Sequence, residues 1–136
     1  MALPDRSAPD TNYRSQVDLI RSGVPVEDAV AVMESCRIPI ARFAGLLGTS
    51  ERKWSRLRSE GAGTLLSAVE SDRLLRVREV LEHAVEVFDR DEDAITWLST
   101  PLQALSGDTP LSLLDTDAGI RAVDAVLTRL EFGVFG

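Results

Sequence analysis

The sequence of 136 residues is poor in the residue types that crosslink chains or perform catalysis. Cys36 is its one cysteine, so no disulfide can form within the chain, which suits a reducing cytoplasm. His83 is its one histidine, and the sequence places neither a cysteine nor a spaced pair of carboxylates near it. No run of about 18 apolar residues is present, which excludes a transmembrane helix. We therefore predict a cytoplasmic protein that does not bind a membrane.

The patterns that mark cofactor and metal sites are also missing. There is no glycine-rich phosphate loop, no metal-ligand spacing and no nucleophile elbow. The acidic run Asp91–Asp93 stands where a helix is predicted to begin, and carboxylates there are explained by the helix dipole. We predict that the chain is not an enzyme, holds no metal and needs no cofactor.

Acidic residues outnumber basic ones overall, but not evenly. The net charge is −7, yet Arg37–Arg58 contains six basic residues against one acid. Residues 1–61 sum to +1 and residues 62–136 to −8, with the border in the turn-forming stretch Glu60–Gly63. A basic stretch in an acidic protein indicates a surface for a polyanion, and the acidic half suits a protein partner.

The basic stretch has the spacing of a helix-turn-helix. Phe43, Ala44 and Leu47 share one face of a first helix, and Gly48 follows where a tight turn needs a positive φ. Thr49 or Ser50 can then cap a second helix.

The second helix of this pair has an inner and an outer face. Trp54 and Leu57, three residues apart, predict the inner face. Arginines on the outer face can reach guanine edges or phosphates in a major groove. The alternative is a plain helix pair whose basic residues only face solvent. The residues predicted to bind DNA are Ser50, Arg52, Lys53, Ser55, Arg56 and Arg58.

The rest of the chain is predicted to be helical, and no segment has the pattern of a strand. The longest helix is expected from about Thr64 to Phe88, because apolar residues recur every three or four positions from Leu74 onward. Met1–Asp10 lacks the apolar core of a signal peptide. We predict an all-α protein with a flexible tail at 1–12, a helix-turn-helix domain at 13–61 and a second helical domain at 62–136.

Motifs in the second half resemble a known family. Ser71-Asp72-Arg73, Trp97-Leu98, a Gly-x-x-Pro-Leu element at 107–111 and a Glu-x-Gly-Val element at 131–134 follow in order. At these separations they are similar to the Xre/MbcA/ParS-type antitoxins, which have an amino-terminal Xre-like helix-turn-helix and a carboxy-terminal toxin-binding domain. The resemblance runs from about Val17 to the end.

The resemblance implies the antitoxin of a type II toxin–antitoxin pair. The usual partner is a RES-domain toxin that consumes NAD or transfers ADP-ribose from it, and the antitoxin's carboxy-terminal end reaches the toxin's active-site cleft. Members with the helix-turn-helix form homodimers and bind operator DNA to repress their own operon. Family members often have a threonine where Lys53 stands, so no operator sequence is implied. The matching toxin-binding residues here are Arg129, Glu131, Phe132, Gly133, Val134, Phe135 and Gly136.

A second hypothesis stays open beside this one. The chain is then a helix-turn-helix transcriptional repressor whose acidic half serves only for dimerisation or ligand sensing, without a toxin partner. A neighbouring gene for a growth-inhibiting protein distinguishes the two hypotheses.

Overall fold

The computed structural model describes residues 13–133, and these residues fold into α-helices, as predicted for an all-α protein. Within this range the backbone pairing typical of a sheet is limited to one isolated β-bridge, between Pro25 and Leu65. Two short 3-10 helices, Gln103–Leu105 and Leu111–Leu113, join the last two α-helices. The α-helices are α1 Tyr13–Ser22, α2 Val26–Ser35, α3 Ile40–Leu47, α4 Glu51–Ser59, α5 Ala68–Phe88, α6 Asp91–Leu98 and α7 Asp117–Glu131.

The central element is α5, which packs against α1, α3, α6 and α7. Leu74, Val77 and Leu81 lie along its buried stripe, as the three- and four-residue spacing predicts. The glutamates of the opposite face are exposed. Because one helix contacts elements of both halves, the helix-turn-helix and the acidic half are held by the same scaffold.

The start of α5 differs from the prediction of about Thr64. The chain is extended there, because the Val26 amide donates to the Thr64 carbonyl at 2.9 Å and the Leu66 amide donates to the Val24 carbonyl at 2.8 Å. The helix begins only after Ser67, whose hydroxyl accepts from the Glu70 amide while the Glu70 carboxylate accepts from the Ser67 amide. Pairing with a distant segment thus delays a helix that the sequence pattern alone would start earlier.

Both halves contribute to one hydrophobic core. Phe43 and Trp54 of the first half and Leu114 and Leu127 of the second are almost completely inaccessible to solvent and belong to the same cluster as Leu74. Burying each such side chain stabilises the fold by about 1.5–3 kcal/mol. The positions of α4 and α7 therefore depend on each other through shared packing.

The beginning of α7 is fixed by a close backbone approach. The Thr116 hydroxyl accepts from the Gly119 amide at 3.0 Å and caps the helix. A Cβ at position 119 would lie 1.8 Å from the Leu113 carbonyl oxygen, so only glycine fits against this 3-10 helix. This contact holds the first turn of α7 against the 3-10 helix.

Among residues 13–133, no helix is both long enough and apolar enough to cross a membrane.

Candidate functional site

The turn between α3 and α4 has the geometry that the sequence predicts. Gly48 has φ 73° and ends α3, and the Thr49 amide donates to the Ala44 carbonyl at 3.0 Å. Ala44 is buried, which allows the two helices to approach closely. The rings of Phe43 and Trp54 lie 5.2 Å apart at an interplanar angle of 43°, and this contact locks α3 against α4.

The structure places the residues predicted to bind DNA on α4 or at its first cap. Trp54 and Leu57 are buried, so the opposite face points outward. The Ser50 hydroxyl accepts from the Lys53 amide at 3.0 Å, which leaves Ser50 at the exposed amino terminus of the helix. The side chains of the outward face are exposed: Ser50, Arg52, Lys53, Ser55, Arg56 and Arg58.

The basic residues of α4 differ in the contacts that their side chains already make within the protein. Arg52 forms no ion pair with another residue of the range 13–133. Arg56 lies 3.5 Å from Glu60 in an exposed pair, and the Arg58 guanidinium lies 6.0 Å from the centroid of the Trp54 ring. Exposed ion pairs such as Arg56–Glu60 are weak, so the arginine can leave its carboxylate to contact a phosphate. Arg52 and Arg56 are therefore available to a polyanion.

Lys53 instead has a buried partner. Its ammonium lies 3.1 Å from Glu70 Oε2, and the Glu70 side chain is 5% exposed. Burial by itself would raise the pKa of Glu70, but the hydrogen bonds with Ser67 and the ammonium of Lys53 outweigh it and lower that pKa. Lys53 thus ties α4 to α5, a contact that the sequence did not reveal.

The motif Ser71-Asp72-Arg73 connects the two halves. The Ser71 hydroxyl accepts from the Val24 amide at 2.9 Å in the core. The Arg73 guanidinium donates to the Leu46 carbonyl at 2.9 Å and to the Asp115 carbonyl. One side chain of α5 therefore contacts the end of α3 and the loop that precedes α7.

The carboxy-terminal end of α7 carries the other predicted site. Phe132 follows the helix and is 65% exposed, although its amide still donates to the Thr128 carbonyl at 3.1 Å. Gly133 adopts φ 69°, a conformation that ends the helix. Arg129 is exposed on the last turn. The remaining predicted residues, 134–136, lie outside the described range.

Glu131, also predicted to bind the toxin, contacts His83 of α5. The His83 ring is bonded on both sides, with Nε2 2.6 Å from Glu131 and Nδ1 2.6 Å from Asp124. The sequence places no spaced pair of carboxylates near His83, and the structure corrects this prediction by bringing the pair from α7. Partial burial would lower the pKa of His83, but its hydrogen bonds to Glu131 and Asp124 outweigh burial and raise it.

The thiol of Cys36 is half-buried at the end of α2, and burial raises its pKa. A raised pKa keeps the thiol protonated, so Cys36 is a weak nucleophile. No group of three or more histidine, cysteine or acidic side chains in the range 13–133 is arranged to hold a metal ion.

Two family descriptions match the chain in succession. The antitoxin Xre-like helix-turn-helix domain matches residues 15–79, and the antitoxin Xre/MbcA/ParS C-terminal toxin-binding domain matches residues 83–133. The two matches meet within α5. The boundary predicted between residues 61 and 62 stays a prediction.

Two relatives that align with most of this chain are named antitoxin Xre. An antitoxin Xre from Yersinia enterocolitica is 35% identical over 120 residues, which are 88% of this chain and 80% of that protein. An antitoxin Xre from Photorhabdus laumondii is 30% identical over 135 residues, which are 98% and 86% of the two chains. A shorter match, 34% identical over 79 residues, covers 52% of this chain and 50% of the "Prs ADP-ribosylating antitoxin" of a Sphingobium species. These relatives are antitoxins, which confirms the predicted resemblance and the prediction that the chain is not an enzyme.

Proposed function

The chain belongs to the Xre antitoxin family and is the antitoxin of a toxin–antitoxin pair, and from that premise we propose how it binds its two partners. The carboxy-terminal end blocks the active site of a RES-domain toxin that degrades NAD or transfers ADP-ribose. The outward face of α4 binds operator DNA and represses the operon. The antitoxin works as a homodimer in the cytoplasm.

The observation that carries the toxin-binding proposal is the exposure of Phe132. Phe132 is an apolar side chain that is 65% exposed at the end of a helix, so burying it against a partner would remove apolar surface from water and favour binding. Aromatic residues are common anchors of binding interfaces, because they bury a large area with few rotatable bonds. In the sequence this anchor is flanked by the other predicted toxin-binding residues, Arg129, Glu131 and 133–136. The glycines at 133 and 136 allow a narrow approach, which suits a cleft better than a flat surface.

The DNA-binding proposal is supported by the face of α4. Ser50 presents the amino-terminal end of the helix, which favours a phosphate, and Arg52 and Arg56 stand on the same outward side. The face also includes Ser55 and Arg58. Lys53 belongs to the predicted set, but its pairing with Glu70 assigns it a smaller share of DNA binding than Arg52.

The RES identity of the toxin and its chemistry are supported by resemblance. The name of the Sphingobium relative mentions ADP-ribosylation, and a toxin that uses NAD is compatible with either chemistry proposed here. The antitoxin itself then needs no cofactor, because it acts by occupying the cleft.

The test is co-expression with the protein encoded by the neighbouring gene. We expect that protein alone to stop growth and to deplete cellular NAD or to ADP-ribosylate a cellular protein, and we expect this chain to reverse the effect. Purified together, the two should form a stable complex in size-exclusion chromatography. A neighbour that does not inhibit growth, combined with tight binding of this chain to its own promoter, would support the plain repressor instead.

A further inference from the structure

The last turn of α7 is held to the body of the protein by few contacts. Leu127 is fully buried, but Thr128, Arg129, Glu131 and Phe132 beyond it are exposed. In that turn, among the described residues, the ion pair that reaches another helix is the one between Glu131 and His83. His83 is therefore the polar tether between α5 and the point where the chain leaves α7.

The geometry of this tether fixes the protonation state of the ring. A neutral imidazole has one N–H donor and one lone pair, so it can donate to only one carboxylate. Both ring nitrogens of His83 lie 2.6 Å from a carboxylate oxygen, Asp124 on one side and Glu131 on the other. Because a carboxylate can only accept, two such contacts need two N–H donors, as in an imidazolium with charge-assisted hydrogen bonds.

We propose that His83 is a positioning residue for toxin binding: as an imidazolium it clamps Asp124 and Glu131 and so fixes the direction in which the chain leaves α7 at Phe132. This inference rests on the proposed function, because it assumes that the segment after α7 enters the toxin. When the ring loses a proton, one of its two hydrogen bonds is lost and the last turn is free to fray.

Few charged groups other than these two carboxylates lie near His83 to stabilise the protonated ring. From α7, Asp124 and Glu131 face the ring, and Arg121 lies one turn before Asp124 in the groove that Glu79 of α5 also lines. Glu86 of α5 is exposed three residues along the helix. Within residues 13–133, no ion pair of His83 involves α6 or the 3-10 helices. The charge of the ring therefore depends on the two carboxylates of α7.

The pH dependence has a defined sign. Because the folded pKa of His83 lies above the ordinary 6.5, the clamp is complete below pH 6.5 and is lost as the pH rises through the folded pKa. Since the chain has a single histidine, the ring signals in a two-bond ¹H–¹⁵N spectrum are assigned without ambiguity. We expect both ring nitrogens to be protonated at pH 6.5, with a midpoint above that value. A neutral ring at that pH would overturn the proposal.

A matched pair of variants separates positioning from general stability. His83→Gln removes the clamp at the end of α7, whereas Arg76→Gln removes the ion pair from α5 to Asp117, 3.0 Å long, at the beginning of the same helix. Hydrogen exchange of the Leu130–Gly133 amides should become about tenfold faster in His83→Gln and stay unchanged in Arg76→Gln. Equal rates in the wild type and in His83→Gln would contradict the clamp. Circular dichroism checks that both variants fold, and wild-type exchange measured against pH serves if one does not.

The binding readout uses a catalytically inactive form of the protein encoded by the neighbouring gene. We expect His83→Gln to bind it about fivefold more weakly than the wild type at pH 6.5, and to show no pH dependence. Wild-type affinity should fall to the level of the variant as the pH rises, and Arg76→Gln should follow the wild type. A confirmed clamp with unchanged affinity would overturn the positioning role. Absence of binding by the wild type would instead contradict the proposed function, and the spectra and exchange rates would still report on the clamp.

Discussion

The face of α4 and the end of α7 are both proposed to bind a partner, but they are held to the body of the protein in different ways. The α4 helix buries Trp54 and Leu57, is capped by Ser50 and is paired to α5 through Lys53. The end of α7 has its last fully buried side chain at Leu127 and then exposes Phe132.

This difference matches the shapes of the two proposed partners. A DNA duplex presents a major groove that admits an α-helix, so a rigid helix positioned in advance loses little entropy on binding. A cleft in an enzyme has to be entered, which requires a narrow segment that extends beyond the body of the antitoxin. The acidic charge of residues 62–136 also keeps that half away from DNA, while the first half is close to neutral and locally basic.

The largest expected change in stability comes from replacing Trp54, and it tests whether the two halves of the chain share one hydrophobic core. Trp54→Ala removes a completely buried side chain and should lower the free energy of unfolding by about 3–5 kcal/mol. Trp54→Phe should cost less, because the ring remains and the indole N–H, which has no hydrogen-bond partner among the described residues, is removed. In chemical denaturation, toxin binding and DNA binding should be lost in one transition. Two separate transitions would show that the halves fold independently.

Removing the exposed anchor should separate the two activities. Phe132→Ala, or a chain ending at Glu131, should weaken binding of the neighbouring gene's product by about 2–4 kcal/mol and abolish growth rescue. Val69→Ala is the matched control, since Val69 is an apolar residue that is 71% exposed and lies in the first turn of α5. Isothermal titration gives the affinities, and promoter binding should be unchanged in all three proteins. Full rescue by the shortened chain would exclude insertion of the tail.

The face of α4 should show the reverse pattern. Arg52→Ala and Arg56→Ala should each weaken binding to the promoter by about 1–3 kcal/mol if the arginine reads a base, or reduce the salt dependence if it contacts a phosphate. Arg121→Ala serves as the control, because Arg121 is a 74% exposed arginine on α7 whose ion pair within residues 13–133 is the local one with Asp117. Gel shifts at several salt concentrations distinguish these outcomes. Toxin affinity should not change, and unchanged gel shifts in both α4 variants would contradict this surface.

Features that depend on nearby residues were predictable from the sequence. The Gly48 turn, the capping of α4 by Ser50 and the buried stripe of α5 each depend on positions within a few residues of one another. The motifs that carry the family resemblance are also read directly from the chain. The all-α fold and the helix-turn-helix followed from these local signals.

Contacts between distant segments could not be predicted in this way. His83 contacts Asp124 and Glu131, which lie 41 and 48 positions further along the chain. These contacts are defined only once α5 and α7 are packed together. The seven-residue spacing of Asp124 and Glu131 places both on one face of α7, but nothing in the sequence says which helix that face meets. The late start of α5 has the same origin, since it depends on pairing with the segment before α2.

The smallest expected effect concerns Lys53, which belongs to the predicted DNA face but contacts the interior. Lys53→Met leaves Glu70 Oε2 buried without its ammonium, so it should lower stability by about 1 kcal/mol at pH 7, somewhat reduced because Lys53 is 43% exposed. Glu70→Gln is the companion variant, because its amide oxygen can still accept from the Ser67 amide and keep the capping box.

The direction in which stability changes with pH distinguishes the contribution of the Lys53–Glu70 pair. The folded pKa of Glu70 is lowered, so the contribution of the pair is complete above the ordinary value of 4.5 and disappears as the pH falls through the folded pKa. Urea denaturation at pH values from 7 to well below 4.5 should therefore show the wild type and Lys53→Met converging in acid. Since the ammonium is already engaged, promoter affinity should fall less in Lys53→Met than in Arg52→Ala. Equal losses would mean that Lys53 leaves Glu70 to contact DNA, and α4 would then be less rigidly held to α5 than its contacts indicate.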